Sequence, residues 1–246
     1  MNIAYQTLPP ASLADAALFL DFDGTLVELA ETPDAIRVSP QLPHLLQRLA
    51  QRLDGRLAVV SGRSIQDLER YLSCRGLAVS GSHGLELRLA DGSFVPLAAP
   101  RELDGVCEEV GRFAECEPGL LVEEKPFSVA VHYRRAPDRE RQVREFMARL
   151  AVESGLSVQQ GKMVTELRPA GADKGDAVRA FMLQSPFAGS RPIFVGDDLT
   201  DEDAFHAAAE LGGGGVLVGH GRDSAAQWRL DGVCAVADWL ERLASA

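Results

Sequence analysis

The stretch ALFLDFDGT, residues 17–25, places four apolar residues directly before a loop that begins with Asp21 and Asp23. A short apolar run without alternation is typical of a parallel strand that is buried on both faces. Open parallel sheets bind their ligands at the carboxyl ends of the strands. The stretch therefore predicts an α/β fold, and it places the candidate functional groups in the loop that follows the strand.

Further apolar runs alternate with helical patterns after this stretch. Leu57–Val60 is a second strand that ends in the loop SGRS, and Leu77–Val79 is a third. Leu42–Leu53, between the first two strands, has apolar residues at helical spacing. This alternation predicts a parallel sheet with helices on both faces. The alternation of helices and strands resumes later in the chain. Its elements are a helix from Lys174, a strand at Ile193–Val195, a helix through Ala209, a strand at Val216–Val218 and a closing helix around Trp239.

Between these two regions the pattern changes to helices and antiparallel hairpins. Asp91-Gly92 is a strong hairpin signal, and two units of one helix and two strands follow it. We predict a Rossmann-like parallel-sheet core, formed by residues 1–100 and 170–246. Residues 101–169 are predicted to be an inserted α/β cap domain of about 70 residues that determines substrate specificity.

The composition is ordinary for a globular protein, but the charge balance is strongly acidic. The 246 residues carry a formal net charge of -11, which repels polyanions and excludes nucleic acid as an expected partner. No apolar run is long enough to span a membrane, and the N-terminus lacks the basic region of a secretory signal. We therefore expect a monomeric, cytoplasmic protein. The four cysteines suggest neither a disulfide framework nor a zinc site.

Polar side chains follow four of the predicted strands: Asp21 and Asp23, then Ser61, then Gly81-Ser82-His83, and finally Asp197 and Asp198. Several carboxylates at one sheet edge repel each other unless a divalent cation neutralises them. Ligands that are all oxygen favour Mg²⁺, which also neutralises a phosphate. One carboxylate can then act as a nucleophile and another as an acid and base. Ser61 and Lys174 are suited to hold the oxygens of a transferring phosphoryl group.

The order DFDGT, SGRS, Lys174-Gly175 and GDDLTDED resembles the four motifs of the haloacid dehalogenase phosphatase superfamily. The resemblance implies that Asp21 is the nucleophile and a magnesium ligand. It implies that Asp23 is the general acid and base, with its backbone carbonyl on the metal, and that Ser61 and Lys174 hold the phosphoryl group.

The same resemblance implies that Asp197 ligates magnesium directly, with Asp198 or Asp201 beside it. The alternative for Asp201 is that it only caps the helix that begins there. The other residues that the resemblance assigns to the substrate are Gly24 and Thr25, through their backbone amides, together with Gly62 and Arg63.

Alternation along the strands of the insert separates an apolar face from a polar face. Val129, Val131 and Tyr133 share one face, and Ser128, His132 and Arg134 share the other. Glu166 and Arg168 share a face of a later strand. Such a mixture of donors and acceptors suits a sugar with many hydroxyl groups, although a plain solvated face is the alternative.

Four segments of the chain, GSHGLE (81–86), VEEKP (122–126), HYR (132–134) and GK with ELRP (161–169), resemble the trehalose-6-phosphate phosphatase family. This resemblance implies that Glu123, Lys125 and Glu166 bind the hydroxyls of the distal glucose. Arg134 and His132 are further candidates for sugar binding, and His83 is a candidate near the phosphate. For both histidines, a hydrogen-bonded structural role is the alternative.

The resemblance implies Mg²⁺-dependent hydrolysis of a small sugar phosphate, trehalose 6-phosphate, to trehalose and phosphate through an aspartyl-phosphate on Asp21. The rivals within the superfamily are a sucrose-phosphate or mannosylglycerate-phosphate phosphatase and a phosphomannomutase, which would show no net phosphate release. A receiver-type signalling module also uses aspartates, Mg²⁺ and a lysine, but there the phosphate acceptor stands alone after a later strand. A non-catalytic sugar-binding relative is a fourth alternative, which the presence of every chemical position disfavours.

Overall fold

A computed structural model describes residues 9–10, 12–30, 35–73, 75–95, 103–125, 128–161, 163–169 and 173–245. The chain divides into two compact units, one formed by Met1–Leu97 with Ala172–Ala246 and the other by Ala98–Gly171. In the described part of the chain, no helix has the length and apolarity that crossing a membrane requires.

The first unit, hereafter the core, is built on an eight-stranded sheet. Its strand order is β12-β11-β10-β1-β2-β3-β4-β5, and the pairs from β12 through β3 are parallel. The short β4 and β5 extend the sheet as antiparallel strands. The strands are β1 Ala16–Leu20, β2 Leu57–Val60, β3 Ala78–Gly81, β4 Glu86–Arg88, β5 Phe94–Val95, β10 Arg191–Gly196, β11 Gly214–Val218 and β12 Trp228–Leu230.

Both faces of this sheet are apolar, because successive side chains of a strand point to opposite sides. In β1, Leu18 and Leu20 pack on one face and Phe19 on the other, and all three are fully buried. Phe19 stacks against Phe187, with 5.5 Å between the ring centroids. Helices α1 Leu42–Arg52, α2 Ile65–Leu72 and α7 Val233–Ser245 cover the first face, and α5 Lys174–Met182 and α6 Glu202–Glu210 cover the second.

The second unit, hereafter the insert, is a four-stranded antiparallel sheet with two helices. The strand order is β6-β7-β9-β8. The elements are α3 Leu103–Glu115, β6 Leu121–Lys125, β7 Ser128–His132, α4 Glu140–Ser154, β8 Leu156–Gly161 and β9 Val164–Pro169. Val129, Val131 and Tyr133 are fully buried and pack against α3 and α4 in one apolar cluster, which confirms the apolar face predicted from the alternation.

The predicted α/β class and the order of strands and helices are confirmed. The structure adds one strand that the sequence analysis did not identify, β12, which pairs in parallel with β11. Cys107, Cys116 and Cys234 form no disulfide, and Cys74 lies outside the described residues. That the insert acts as a cap stays a prediction.

We expect Leu18→Ala to destabilise the core by about 2–5 kcal/mol, because it opens a cavity in the central strand. Leu183→Ala is the matched control, because Leu183 is 80% exposed and its truncation should cost less than about 0.5 kcal/mol. Urea unfolding of both variants measures the difference. Equal losses of stability would contradict the position of β1 at the centre of the core.

Candidate active site

The carboxyl ends of neighbouring parallel strands bring three carboxylates together. Asp21 follows β1 and Asp197 follows β10, and the Asp21 amide still donates to the Val195 carbonyl at 2.9 Å. Asp201 lies one short turn beyond Asp197. Oxygen atoms of Asp21, Asp197 and Asp201 lie within 4.8 Å of one another. The sequence prediction that separate strand ends supply one acidic cluster is therefore met for these three residues.

Lys174 supplies the buried positive charge of the cluster. It is the first residue of α5, whose N-cap Asp173 accepts the Asp176 amide at 2.8 Å. Lys174 Nζ donates to Asp21 Oδ1 at 2.7 Å and to Asp201 Oδ1 at 2.6 Å. Burial acts to lower the pKa of Lys174, but the attraction of Asp21 and Asp201 outweighs it, so that the pKa lies above its ordinary value. This shift favours the charged ammonium form of Lys174.

The two aspartates that the sequence could not separate have different positions. Asp201 is fully buried, and its Oδ2 accepts the Asp198 amide at 2.9 Å. Although Asp201 occupies the N-cap position of α6, its side chain makes no cap hydrogen bond there. Asp198 is exposed, and its carboxylate accepts the Leu199 amide at 2.7 Å. Asp201 thus belongs to the acidic cluster, whereas Asp198 caps the short turn between them.

Asp197 carries the clearest sign of a missing partner. It is half-buried, and its Oδ1 accepts no hydrogen bond from any residue that the structure describes. Its carboxylate packs against Gly24, which has a φ of +84° and where any Cβ would overlap the carboxylate. Burial, followed by repulsion from Asp201, raises the pKa of Asp197 to about 6. Burial is also the main cause that raises the pKa of Asp21.

These residues fit a hard divalent cation. All the candidate donors are carboxylate oxygens, which Mg²⁺ prefers. Among the described residues, the three carboxylates are paired with a single ammonium, and a buried Asp197 oxygen has no hydrogen-bond partner. A divalent cation supplies the missing charge and the missing partner together.

Asp23 is paired with an arginine rather than with the acidic cluster. Arg63 Nε and Nη2 donate to the two carboxylate oxygens of Asp23 at 2.6 and 2.7 Å. The Arg63 guanidinium also lies over the rings of Phe22 and Tyr71, at 5.7 and 5.5 Å from their centroids. The Arg63 amide donates to Ser61 Oγ at 3.1 Å. The loops after β1 and β2 are therefore joined through one side chain.

Gly24 and Thr25, which the sequence analysis assigned to phosphate, make hydrogen bonds within their own loop after β1. The Gly24 amide donates to the Val27 carbonyl at 2.8 Å, and the Thr25 amide to the Phe22 carbonyl at 3.4 Å. The first bond occupies the amide that was expected to bind phosphate, so Gly24 acts here through its contact with Asp197. Thr25 is fully buried, and its Oγ1 has no hydrogen-bond partner among the described residues.

The loop after β3 is strained and closely packed. Ser82, His83 and Gly84 have φ values of +49°, +56° and +102°, a conformation that costs energy for the two residues with side chains. Amides of this turn donate to the carbonyls of Arg63, at 2.8 Å, and of Ser61, at 3.0 Å. The His83 ring rests on Gly62, where any Cβ would meet it. His83 therefore packs against the loop that carries Ser61.

Glu86 is a buried support of this loop that the sequence analysis did not assign. Its carboxylate accepts the Ser82 hydroxyl and, at 3.4 Å, the amide of Ile65 at the start of α2. Glu86 belongs to the segment GSHGLE that carries the family resemblance, but it received no role there, because a glutamate in a short strand is usually solvated.

The insert, taken by itself, has a polar face opposite its helices. His132 Nε2 lies 2.8 Å from Glu123 Oε2, and Ser128 Oγ donates to Glu166 Oε1. The register places Glu123 and Glu166 on either side of Ala130, so both lie on the same face. Arg134 is exposed beyond the end of β7. The side chain of Lys125 and the whole of Lys162 lie outside the described part of the chain.

A mainly parallel sheet that brings Asp21, Ser61, Lys174 and an acidic loop to adjacent strand ends defines a phosphatase of the haloacid dehalogenase class. One solved phosphatase of this superfamily, 17% identical to this chain, shares the fold with a TM-score of 0.63. The trehalose-phosphatase family model matches residues 19–233, and the chain belongs to that family.

Individual relatives agree with this assignment. A probable trehalose-phosphate phosphatase of Sinorhizobium fredii is 43% identical over 82% of this chain and 77% of its own length. The trehalose-6-phosphate phosphatase of Escherichia coli is 38% identical over 98% of this chain and 91% of its own. The crystal structure of a trehalose-6-phosphate phosphatase related protein is 28% identical, covers 93% of this chain and 96% of its own, and has a TM-score of 0.76.

Asp197→Asn is expected to stabilise the metal-free protein at pH 7.5. The folded-state pKa of about 6 lies above the ordinary value of 3.8, so the wild type loses stability as the pH rises through this window, and asparagine does not. Because solvent screens part of the repulsion at this half-buried group, we expect the midpoint temperature of unfolding to rise by about 2–4 °C.

Calorimetry in a chelator at pH 7.5 and pH 4.5 measures this effect, and the difference should be smaller at the lower pH, because it disappears only below the ordinary pKa of 3.8. Added Mg²⁺ should stabilise the wild type and stabilise the variant much less. Asp231→Asn, at an exposed ion pair, is the matched control. A lower midpoint for Asp197→Asn in chelator at pH 7.5 would contradict the repulsion argument.

Proposed function

We propose that the protein hydrolyses trehalose 6-phosphate to trehalose and phosphate through a covalent aspartyl-phosphate on Asp21. The observation that carries the proposal is the buried Asp21 carboxylate, which is held by Lys174 and lies within 4.8 Å of the candidate cation ligands Asp197 and Asp201. The named activity of the relatives and membership of the trehalose-phosphatase family support the choice of substrate.

Asp21, Asp197 and Asp201 would hold the Mg²⁺, which neutralises phosphate oxygens when bound. In the first step an Asp21 oxygen attacks phosphorus, and the bond from phosphorus to the sugar O6 breaks. Asp23 gives its proton to O6, so that trehalose leaves as the neutral alcohol. In the second step Asp23 takes a proton from a water molecule that attacks the aspartyl-phosphate. Phosphate leaves, and the Asp21 carboxylate is restored.

The ion pair between Asp23 and Arg63 places a condition on this mechanism. A carboxylate that accepts hydrogen bonds from a guanidinium at both oxygens has no oxygen free to hydrogen-bond the sugar O6. Arg63 therefore has to release at least one oxygen of Asp23 before the leaving group departs. The phosphate of the substrate is a suitable new partner for Arg63, because guanidinium groups bind phosphate oxygens in pairs.

Lys174 and Ser61 complete the proposed phosphate site. Lys174 Nζ already bonds the nucleophile, and its positive charge suits an oxygen of the transferring phosphoryl group. Ser61 is almost fully buried, and its hydroxyl can donate to a second oxygen while it accepts the Arg63 amide. Thr25 contributes a buried hydroxyl without a described partner, and we assign it to the same site.

We assign sugar recognition to the polar face of the insert. Glu123 and Glu166 supply acceptors, and His132 and Ser128 supply groups that donate and accept, an assortment that matches the hydroxyl groups of a disaccharide. The assignments of Lys125 and Arg134 stay predictions, as do the cytoplasmic location and the monomeric state.

The superfamily rivals differ from this proposal in substrate or in product. A sucrose-phosphate or mannosylglycerate-phosphate phosphatase would release phosphate from another ester, and a phosphomannomutase would release none. Family membership disfavours all three, and it also disfavours a receiver-type signalling module and a non-catalytic sugar-binding protein.

Phosphate release from a panel of sugar phosphates, with Mg²⁺ and with a chelator, tests the function directly. We expect a strong preference for trehalose 6-phosphate and loss of turnover without the metal. Asp21→Asn should keep the fold and lose at least about 1,000-fold in kcat, because the amide is a poor nucleophile. Asp15→Asn, an exposed aspartate, is the control. Full activity of Asp21→Asn would refute the covalent route, and a flat substrate profile would refute the substrate.

Glu123→Ala and Glu166→Ala are expected to separate sugar binding from phosphate chemistry. Each should lower kcat/KM for trehalose 6-phosphate by about 10- to 100-fold, the cost of a lost charged hydrogen bond. Each should change kcat/KM for p-nitrophenyl phosphate by less than about threefold. Glu124→Ala, the next residue along β6 and on the other face, should affect neither substrate. Equal losses on both substrates would mean that these glutamates do not bind the sugar.

A further inference from the structure

A loop outside the sequence motifs contacts residues 197–203, the acidic segment that follows β10. The loop connects β11 to β12, over residues 219–227, and both of its ends are fixed to the sheet. The Gly219 amide donates to the Leu230 carbonyl at 2.8 Å, and the Gln227 amide donates to the Gly215 carbonyl at 2.9 Å. Arg222 extends from this anchored loop to the acidic segment.

Arg222 makes two kinds of contact with the acidic segment. Its Nη2 donates to the backbone carbonyl of Asp198 at 2.7 Å, and its Nη1 forms an ion pair with Glu202. The other oxygen of Glu202 accepts the amide of Ala225 at 2.8 Å. The side chains of Arg222 and Glu202 are 25% and 20% exposed, so the pair is largely shielded from solvent and is not a plain surface ion pair.

The Asp198 backbone connects the Arg222–Glu202 ion pair to the cation site. Its amide donates to Asp201 Oδ2 at 2.9 Å, which leaves the other Asp201 oxygen for Lys174 at 2.6 Å. Asp198 also follows Asp197 directly. A shift of the Asp198 backbone would therefore turn the carboxylates of Asp197 and Asp201 out of the cluster. Arg222 restrains that backbone at its carbonyl, which also accepts the Asp201 amide at 3.2 Å.

We propose that Arg222, with Glu202, is a positioning residue that holds Asp197 and Asp201 in the geometry that binds the divalent cation. This inference rests on the cation site of the proposed function. Groups that orient metal ligands without touching the metal set its affinity, and their loss typically costs 10- to 100-fold in metal binding. The hydrogen bonds described for Arg222 are to Glu202 and to the carbonyls of Asp198 and Asp223, and none of these residues is the nucleophile.

The test is calorimetric titration of Mg²⁺ into the protein without substrate. Arg222→Gln should raise the dissociation constant by about 10- to 100-fold. Arg222→Lys keeps the charge but cannot bond Asp198 and Glu202 through two separate nitrogens. Its dissociation constant should lie between those of Arg222→Gln and the wild type. Arg229→Gln is the matched control. Arg229 lies on β12 in an exposed ion pair with Asp231, and the dissociation constant of this variant should stay within twofold of the wild type.

An unchanged dissociation constant in Arg222→Gln, with the wild type binding normally, would overturn the positioning role and leave the proposed function intact. A lower unfolding midpoint in chelator with the same dissociation constant would also overturn it, because the role would then be structural only. If Arg222→Gln does not fold, Glu202→Gln decides. That variant keeps an acceptor for the Ala225 amide and loses the ion pair, and wild-type affinity in it would refute the inference. No Mg²⁺ binding by the wild type would refute the cation site itself.

Discussion

The buried hydrogen bonds from Lys174 to Asp21 and Asp201 are the constraint on which the site depends. Carboxylates that leave water for a protein interior repel each other and lose hydration, and the ammonium group offsets both costs for two of them. It cannot do so for Asp197 as well, because three carboxylates and one ammonium leave a net charge of about -2. That remainder matches a divalent cation, and it would repel a phosphate ester until the cation is bound.

Close packing between strand ends fixes this charge arrangement in space. Because Gly24 has no side chain, the Asp197 carboxylate packs directly against it. Gly84 leaves room in the same way for the Asp173 carbonyl, at the start of α5. The turn that contains Gly84 is in turn bonded to the carbonyls of Ser61 and Arg63. The loops after β1, β2, β3 and β10 thus contact one another directly. A displacement of one loop has to move the others, because packed interiors do not deform continuously.

The sequence predicts features that depend on neighbouring residues, but it does not predict contacts between residues that are distant in the chain. Buried parallel strands read as plain apolar runs, so β1 and β2 and the acidic groups after them could be located directly. β12 is short and only partly buried, so it leaves no such run. Asp198 and Asp201 stand in the same acidic string, and only the fold shows that Asp201 turns back to Lys174. Arg222 lies 24 positions beyond the Asp198 carbonyl that it bonds, and no local pattern encodes that contact.

Two unsatisfied buried groups at the strand ends argue that the site is built for a ligand. Thr25 Oγ1 and Asp197 Oδ1 are buried without hydrogen-bond partners among the described residues, although a buried polar atom normally finds one. Both belong to loops at the carboxyl ends of parallel strands. Asn at position 197 would remove a charge that the metal-free fold does not satisfy, so stability alone does not account for the aspartate. In the proposed function, a cation would be the partner of Asp197 Oδ1 and a phosphate oxygen would be the partner of Thr25 Oγ1.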